Sequence, residues 1–399
     1  MKFLKPSAAT AENLPLLTLA PVVDTRHAWA AVFLHAAADA DAVSLESLPR
    51  LFGELGLGAA LAELAAIVPV RDPQLLAVDL AAVLPTENMV LLIPLAYCLD
   101  PSSEATLQQL RHSGFRLMAD GLPEEGVHLP SSVTAVASAA NGLNASLGHL
   151  SGPHLARGVD DVNRLERCRK AGYRWFAGDY PLHPRQATGQ QNSASRTLQL
   201  RLLAMVSADA DSREIEALLK KDPSLSYHLL KLVNSVSFAL TTKITSFSYA
   251  ITILGRRQLQ RWLQLLLYAQ QKHGDEASPL LARAARRASM MEALCVAAGG
   301  GKEDQEHAFL TGMFSLLDAL FSTPLEKIVT PLHLSDDIEE GLLSRGGWLG
   351  RLLFLVERSE RVATPELTGE LESLLLTPVD YLRTQISASA WAIQVSRDA

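Results

Sequence analysis

Residues 307–321, HAFLTGMFSLLDALF, carry a histidine near one end and an aspartate near the other. Imidazole and carboxylate groups together suit transition metals, so His307 and Asp318 are the first candidates for a metal site. On a helix, eleven positions bring the two side chains back to the same face. A rise of roughly 1.5 Å per residue, however, separates them by about 16 Å, so they cannot share one metal ion.

The same stretch is also consistent with a helix that packs one face against a hydrophobic core. Asp304 and His307, three residues apart, are predicted to form a surface pair or to cap the start of the helix. Apolar residues recur at helical spacing and predict a buried stripe: Phe309, Met313, Leu317 and Leu320. The packing interpretation is therefore favoured over the metal site.

Three polar residues interrupt or end short apolar runs in the first half of the chain. They are Asp79 in LLAVDLAA, Asp120 in FRLMADG and Arg157 in HLARGV. One interpretation is a polar strand end that is capped by backbone, by water or by a salt bridge. The other is a ligand-binding site, since carboxylates bind metal ions and guanidinium suits phosphate. Both interpretations stay open from the sequence.

Length and composition limit the class of protein. A chain of 399 residues exceeds what one core usually supports, which predicts two domains. The net charge of −7 does not favour nucleic acid as a partner. Cys98, Cys168 and Cys295 form no CxxC pair, which predicts buried thiols in a reducing compartment. Without a recognisable secretory signal or a long apolar run, we expect a cytoplasmic protein with no membrane partner.

Eight short apolar runs in the first half predict strands buried on both faces, the pattern of an α/β barrel. They are PLLTLAPVVD, WAAVFLHAA, LLAVDLAA, MVLLIPLAY, FRLMADG, VTAVASAA, HLARGV and YRWFAGD. Only about six residues join the first two runs, too few for a parallel crossover, which needs about a dozen. The first two strands are therefore predicted to form an antiparallel hairpin.

A polar segment rich in Pro, Gln and Ser follows at 180–197 and predicts an exposed boundary. Beyond it, only helical periodicity appears. Asp222 and Pro223 are predicted to start one helix, and Gly255 to stop a second. The predicted organisation is an α/β barrel domain at 1–190 and an all-helical domain at 191–399.

Two stretches carry a family resemblance. Residues 222–267, DPSLSYHLLKLVNSVSFALTTKITSFSYAITILGRRQLQRWLQLLL, resemble the HDOD domain, a helical relative of the HD-domain metal hydrolases. Residues 167–184, RCRKAGYRWFAGDYPLHP, look like the final strand and loop of an EAL domain, the barrel of the cyclic-di-GMP phosphodiesterases. Together they resemble the EAL-HDOD (YuxH-like) family of bacterial signalling proteins. This resemblance implies an EAL-like barrel with an antiparallel first strand, followed by an HD-related helical domain.

The resemblance also implies which ligands are missing from the barrel. An active EAL domain holds two divalent cations on oxygen ligands, which activate water and stabilise phosphate charge. Aligned with that pattern, several of its functional positions carry other side chains: Ala31, His35, Leu92, Ala119, Arg157 and Ala177. Asp79 stands in place of an asparagine, Asp120 keeps one of two adjacent aspartates, and no lysine matches the catalytic one. We therefore expect no phosphodiesterase activity.

The helical domain departs from its family in the same way. Ser315 and Leu316 fall where HD hydrolases carry their adjacent His-Asp pair, and no histidine lies between His273 and His307. The resemblance thus implies no catalytic residues, no metal and no cofactor in this domain. Its basic segments, Arg256 to Arg261 and ARAARRAS at 282–289, are interpreted as solvated helix faces.

The resulting expectation is a non-catalytic signalling or scaffold protein that acts through protein contacts and is linked to cyclic-di-GMP signalling. A first alternative is a receptor that binds cyclic-di-GMP or another nucleotide at Asp79, Asp120 and Arg157 without hydrolysis. A second alternative is a residual metal-dependent phosphodiesterase. Expected partners are other signalling proteins, with cyclic-di-GMP and a homodimer left open. The loop Thr241–Ser246 and the barrel mouth are the candidate interaction surfaces.

Overall fold

The computed structural model describes residues 14–36, 45–75, 83–141, 147, 150–183, 201–205, 210–219, 247–269, 277–361 and 364–397. The predicted strand at 75–82, with Asp79, falls largely outside these ranges. So do the predicted helix start at Asp222 and the loop Thr241–Ser246. All three cysteines lie in the described part and are buried free thiols, as the sequence predicts.

Eight strands close into a barrel in chain order. They are β1 (Leu17–Val23), β2 (Trp29–Ala36), β3 (Ala65–Pro69), β4 (Met89–Pro94), β5 (Arg116–Asp120), β6 (Val133–Ala139), β7 (Leu155–Arg157) and β8 (Trp175–Ala177). β1 is antiparallel to β2, and β2 to β8 are parallel to one another. The predicted barrel with a reversed first strand is confirmed, because the short connection after Val23 allows only a hairpin.

The predicted third strand was wrong. Ala65–Pro69 pairs with β2 on one side and with β4 on the other, so this five-residue segment, and not LLAVDLAA at 75–82, is β3. The segment LAELAAIVP around it has the alanine and leucine content of a helix, which hides so short a strand. Asp72, near the end of β3, accepts the Gln74 backbone N–H at 3.0 Å and so closes a local turn.

Helices and short turns connect and cover the strands. The barrel contributes α1 (Leu57–Leu61), α2 (Leu95–Leu99), α3 (Glu104–His112) and α4 (Val162–Lys170). The second domain contributes α5 (Ser212–Leu219), α6 (Phe247–Ala269), α7 (Pro279–Ala297), α8 (Lys302–Phe314), α9 (Leu317–Phe321), α10 (Leu325–Val329), α11 (Asp336–Leu343), α12 (Gly347–Arg358), α13 (Pro365–Ser373) and α14 (Pro378–Arg397). In the described part of this domain, no strand occurs.

Local sequence explains several of these boundaries. α6 breaks at Gly255, which has φ 75° and ψ 160°, so the predicted helix stop is present as a kink. α7 begins where the Ser278 side chain accepts the Leu281 backbone N–H and Pro279 occupies the first turn. α8 begins with the Asp304 side chain accepting the Gly301 backbone N–H at 2.7 Å.

Two apolar clusters organise the molecule. The barrel interior is filled by residues such as Phe33, Met118, Leu155 and Trp175, so the barrel is a packed core and not a pore. The second cluster is continuous from the outer face of the strands into the helical domain. Leu17 and Leu19 of β1 belong to it, which means that both domains share one core.

The helical domain also supplies hydrogen bonds to β1. β8 pairs with β1 only at Val23 and Phe176, so the rest of this β1 edge has no strand partner among the described residues. The Gln385 side chain on α14 accepts the Leu19 N–H at 2.8 Å and donates to the Leu17 carbonyl at 3.0 Å. Arg286 on α7 donates to the Leu19 carbonyl at 2.9 Å. Buried side chains of the second domain thus complete the barrel edge.

In the part of the chain that the structure covers, no single helix has both the length and the apolar character of a membrane span. Two consecutive segments, 302–321 and 325–332, reach the length and apolar character of a membrane span only when they are counted together, and the chain bends by 110° between them.

Candidate functional site

The C-terminal ends of the parallel strands form the barrel mouth. Side chains alternate along each strand, and Phe33, Met118 and Leu155 point into the barrel core. The residues two positions further along, His35, Asp120 and Arg157, therefore face inward at the mouth. Pro69, Pro94, Ala139 and Ala177 hold the equivalent places on β3, β4, β6 and β8.

Asp120 and Arg157 form an ion pair across the mouth, in which Arg157 Nη2 donates to Asp120 Oδ1. Their side chains are 37% and 34% exposed, so solvent and small molecules reach both groups. Asp79, the third predicted site residue, lies outside the described residues. The structure brings two of the three predicted residues together, and each neutralises the other.

His35 is a mouth residue that the sequence marked only as a replaced functional position of the EAL pattern. Its ring stacks against Phe33 with centroids 4.4 Å apart. Burial, and then the nearby Arg157 guanidinium, lower the pKa of His35 to about 4. The imidazole is therefore neutral at physiological pH, and the only formal charges of this inner layer, among the described residues, belong to Asp120 and Arg157.

This depressed pKa predicts acid sensitivity. In the unfolded chain His35 has a pKa near 6.5 and is protonated below that pH. In the folded chain the ring stays neutral down to about pH 4. The His35 contribution to stability is thus fully present above pH 6.5 and is lost as the pH falls towards 4. We expect this loss to approach about 3 kcal/mol in wild type and to be absent in His35→Gln.

Urea unfolding at pH 7 and at pH 4.5 measures the difference. His183→Gln is the matched control, because His183 is exposed just after β8. A wild type and a His35→Gln variant with the same pH dependence would contradict the assignment.

The second predicted region lies on α8 and α9. Phe309, Met313, Leu317 and Leu320 are buried, so the apolar stripe is present. Of the two predicted roles, Asp304 caps the start of the helix and does not pair with His307. His307 Nδ1 lies 2.8 Å from Asp337 Oδ2 on α11, because Asp304 is engaged at the helix start.

Ser315 and Leu316, at the positions of the family's His-Asp pair, are 4% and 2% exposed. The Ser315 hydroxyl donates to the Gly312 carbonyl at 2.8 Å and accepts from Arg287 Nη1 at 3.1 Å. Arg287 in turn donates to both Glu360 carboxylate oxygens, each at 2.9 Å. A buried arginine and carboxylate pair therefore lies beside the positions where the related hydrolases hold metal.

The interpretation of ARAARRAS as a solvated face was wrong. Arg283, Arg286 and Arg287 are 6%, 1% and 4% exposed, because α7 is enclosed by α8, α14 and the barrel. Arg286 donates to Ser359 at 2.9 Å and to Ser389 at 3.3 Å. The sequence signal that could have revealed this is the alternation of alanine with arginine, since small residues allow helices to approach closely.

In the other basic segment, Arg256 to Arg261, the Arg261 side chain also does not lie on a solvated face. It makes a two-point ion pair with Glu292, at 2.6 and 3.1 Å, and lies over the Phe309 ring at 4.2 Å. Arg257 is half exposed and pairs with Glu306.

Opposing effects act on Glu360. Burial alone would raise the pKa of its carboxyl group, but Arg287 and Arg283 overcome this effect and hold the pKa at about 2. The carboxylate is therefore ionised in the folded protein and offsets part of the charge of two buried guanidinium groups.

The mouth and the helical domain are in direct contact. The Thr18 hydroxyl, opposite His35 in the β1–β2 register, donates to the Arg361 carbonyl at 2.5 Å. Asp179, just after β8, accepts from Arg361 at 2.8 Å and from Arg283 at 3.2 Å. Arg283 also donates to the Gly178 carbonyl at 3.2 Å.

These residues do not fit the cations that the related hydrolases use. A two-cation site needs several converging carboxylates, whereas the inner layer of the mouth offers, among the described residues, one carboxylate already paired with a guanidinium. Across all described residues, no group of three or more His, Cys, Asp or Glu side chains is arranged to hold a metal ion.

Comparison with known proteins agrees with this architecture. Residues 195–323 match the family model of the HDOD domain. The chain carries an HDOD domain. Because this domain follows a closed barrel with an antiparallel first strand, the predicted combination of an EAL-like barrel with an HDOD domain is confirmed.

Two curated relatives match a large part of the chain. The chain is 29% identical over 246 residues to the cyclic di-GMP phosphodiesterase CdgJ of Vibrio cholerae, covering 61% of this chain and 56% of the relative. It is 28% identical over 209 residues to YuxH of Bacillus subtilis, covering 52% and 51%. The chain thus spans about half the length of the curated relatives it matches.

Among solved structures, the EAL domain of Mycobacterium smegmatis DcpA is 15% identical, with a TM-score of 0.32, and the match covers 41% of this chain and 89% of that domain.

Proposed function

We propose that this protein is a non-catalytic component of bacterial cyclic-di-GMP signalling, which acts through contacts with other proteins and not through hydrolysis. The observation that carries the proposal is the ion pair between Asp120 and Arg157. In this pair, Arg157 occupies Asp120, which is the one carboxylate that the described strand ends direct into the mouth. The similarity to a cyclic di-GMP phosphodiesterase supports the signalling context.

The HDOD domain supports the same proposal. A metal-dependent hydrolase needs ligands with free lone pairs, whereas Ser315 and Glu360 are already bound to Arg287. Replacing such a buried network by metal ligands would require several substitutions at once. The protein would then act by binding other proteins at its surface. The contacts of Arg361 and Arg283 with the barrel fix the relative orientation of the two domains at such a surface.

A second candidate is a nucleotide receptor, which one observation favours. Arg157 is about one-third exposed at the mouth, and a phosphate could exchange with Asp120 for its guanidinium. Such an exchange would occur close to Thr18, whose hydroxyl donates to the Arg361 carbonyl in the helical domain. A bound nucleotide would therefore act directly on the domain contact.

One experiment separates these functions. Full-length protein with magnesium or manganese is incubated with cyclic-di-GMP, and turnover and calorimetric binding are both measured. We expect neither turnover nor micromolar binding. Micromolar binding that Arg157→Glu abolishes would favour the receptor, and turnover that Asp120→Ala abolishes would favour a residual phosphodiesterase. Either outcome would overturn the non-catalytic scaffold.

A further inference from the structure

A cavity of about 500 Å³ opens at the N-terminal pole of the barrel, on the opposite side from the mouth. One wall is the segment that leads into β7, including Leu150, Gly152 and His154. The other wall is the end of α4 and the turn into β8, including Lys170 and Arg174. Neither the EAL-like mouth nor the HDOD domain contributes to it.

The formal charge of this cavity is positive. Lys170 and Arg174 are exposed and form no ion pair within the described part of the chain, and no carboxylate lines the walls. Glu166, one turn earlier on α4, is not part of the lining. The C-terminal end of α4 opposes this charge with a dipole equivalent to about −0.5, which is smaller than two full positive charges.

A buried histidine, His154, lines the same cavity. His154 is 4% exposed, and its Nδ1 accepts the Val136 backbone N–H at 3.3 Å. The proton of the neutral ring is therefore on Nε2. This nitrogen is directed towards Gly152, since a Cβ at Gly152 would lie 3.5 Å from it.

The surrounding pole adds further positive charge. The Arg116 guanidinium lies 5.8 Å from the ring centroid of Trp175, the residue after Arg174. Arg116 Nε is buried without a hydrogen-bond partner. Burial and the like charge of Arg111 lower the pKa of Arg116.

We propose that this cavity binds a phosphate-bearing small molecule of nucleoside monophosphate size. Lys170 and Arg174 would bind the phosphate, and the leucine and proline wall would contact the apolar part of the ligand. A volume of about 500 Å³ lies within the range of roughly 300–1,000 Å³ typical of small-molecule sites. The site is independent of the function proposed for the mouth.

Calorimetry of the full chain with AMP and with adenosine tests the proposal. We expect AMP to bind at least about tenfold more tightly than adenosine, because charge-assisted hydrogen bonds to the phosphate supply the difference. The double variant Lys170→Glu with Arg174→Glu should weaken AMP binding by about tenfold or more. Both residues are exposed, so we expect the melting temperature to be unchanged.

Arg167→Glu is the matched control, because Arg167 is exposed on the same helix and does not line the cavity. This variant, and Arg157→Glu at the mouth, should bind AMP as wild type does. Three results would overturn the proposal: no AMP binding at millimolar concentration, equal binding of AMP and adenosine, or unchanged binding by the double variant. None of them bears on the scaffold proposal.

Discussion

Replacing Glu360 by glutamine is expected to lower the free energy of unfolding by about 3–5 kcal/mol. The carboxylate accepts two hydrogen bonds from Arg287 and lies 3.8 Å from Arg283. Both guanidinium groups are buried, and glutamine removes the buried negative charge that faces both of them, leaving the partly exposed Asp179 beside Arg283 and Glu357 beside Arg287. Breaking a buried pair costs more than the pair itself stabilises, because the remaining charge stays desolvated.

Urea denaturation at pH 7 measures this effect, with Glu372→Gln as the control. Glu372 is exposed on α13 and differs from Glu360 in burial. A loss below about 1 kcal/mol, the size expected of a surface pair, would mean that the network is solvated. The double variant Arg287→Met with Glu360→Met should recover part of the loss, since it removes both charges.

Replacing Gln385 by leucine is expected to cost about 2–4 kcal/mol and to loosen the barrel specifically at β1. The substitution leaves the Leu19 N–H and the Leu17 carbonyl buried without partners. β8 cannot replace them, because it reaches β1 only at Val23. A change in the C-terminal helical part of the chain therefore destabilises a strand of the barrel.

Hydrogen exchange by mass spectrometry checks this result on the peptide containing Leu17–Val23, which should exchange faster in the variant. Gln394→Leu on the same helix is the control, because Gln394 is exposed. Unchanged protection of β1 in Gln385→Leu would show that the domain contact does not support the barrel edge.

These contacts explain why the two domains are best regarded as one folding unit. The outer face of β1 lies in a core shared with the helical domain. The edge of β1 that β8 leaves unpaired is bonded to α7 and α14, and Arg361 and Asp179 join the two domains at the mouth. A ligand or a partner at either domain therefore acts on the same set of contacts. This coupling is the route by which the proposed non-catalytic signalling role would operate.

The sequence by itself determined the features that depend on local spacing. The short connection after Val23 required an antiparallel hairpin, and periodic apolar residues identified the buried stripe from Phe309 to Leu320. The types of residue at Ala31, Leu92, Ser315 and Leu316 were enough to predict that the ligands of both related hydrolases are missing. Such inferences need only neighbours along the chain or a known motif.

Only the tertiary structure decided the features that depend on distant partners. Gln385 meets Leu19 across 366 residues, and Arg287 meets Glu360 across 73, so no local pattern could reveal that these polar side chains are buried. The same holds for His307 with Asp337 and for Arg157 with Asp120. β3 was missed because five residues are too few to establish a period, and its pairing with β2 and β4 alone identifies it as a strand.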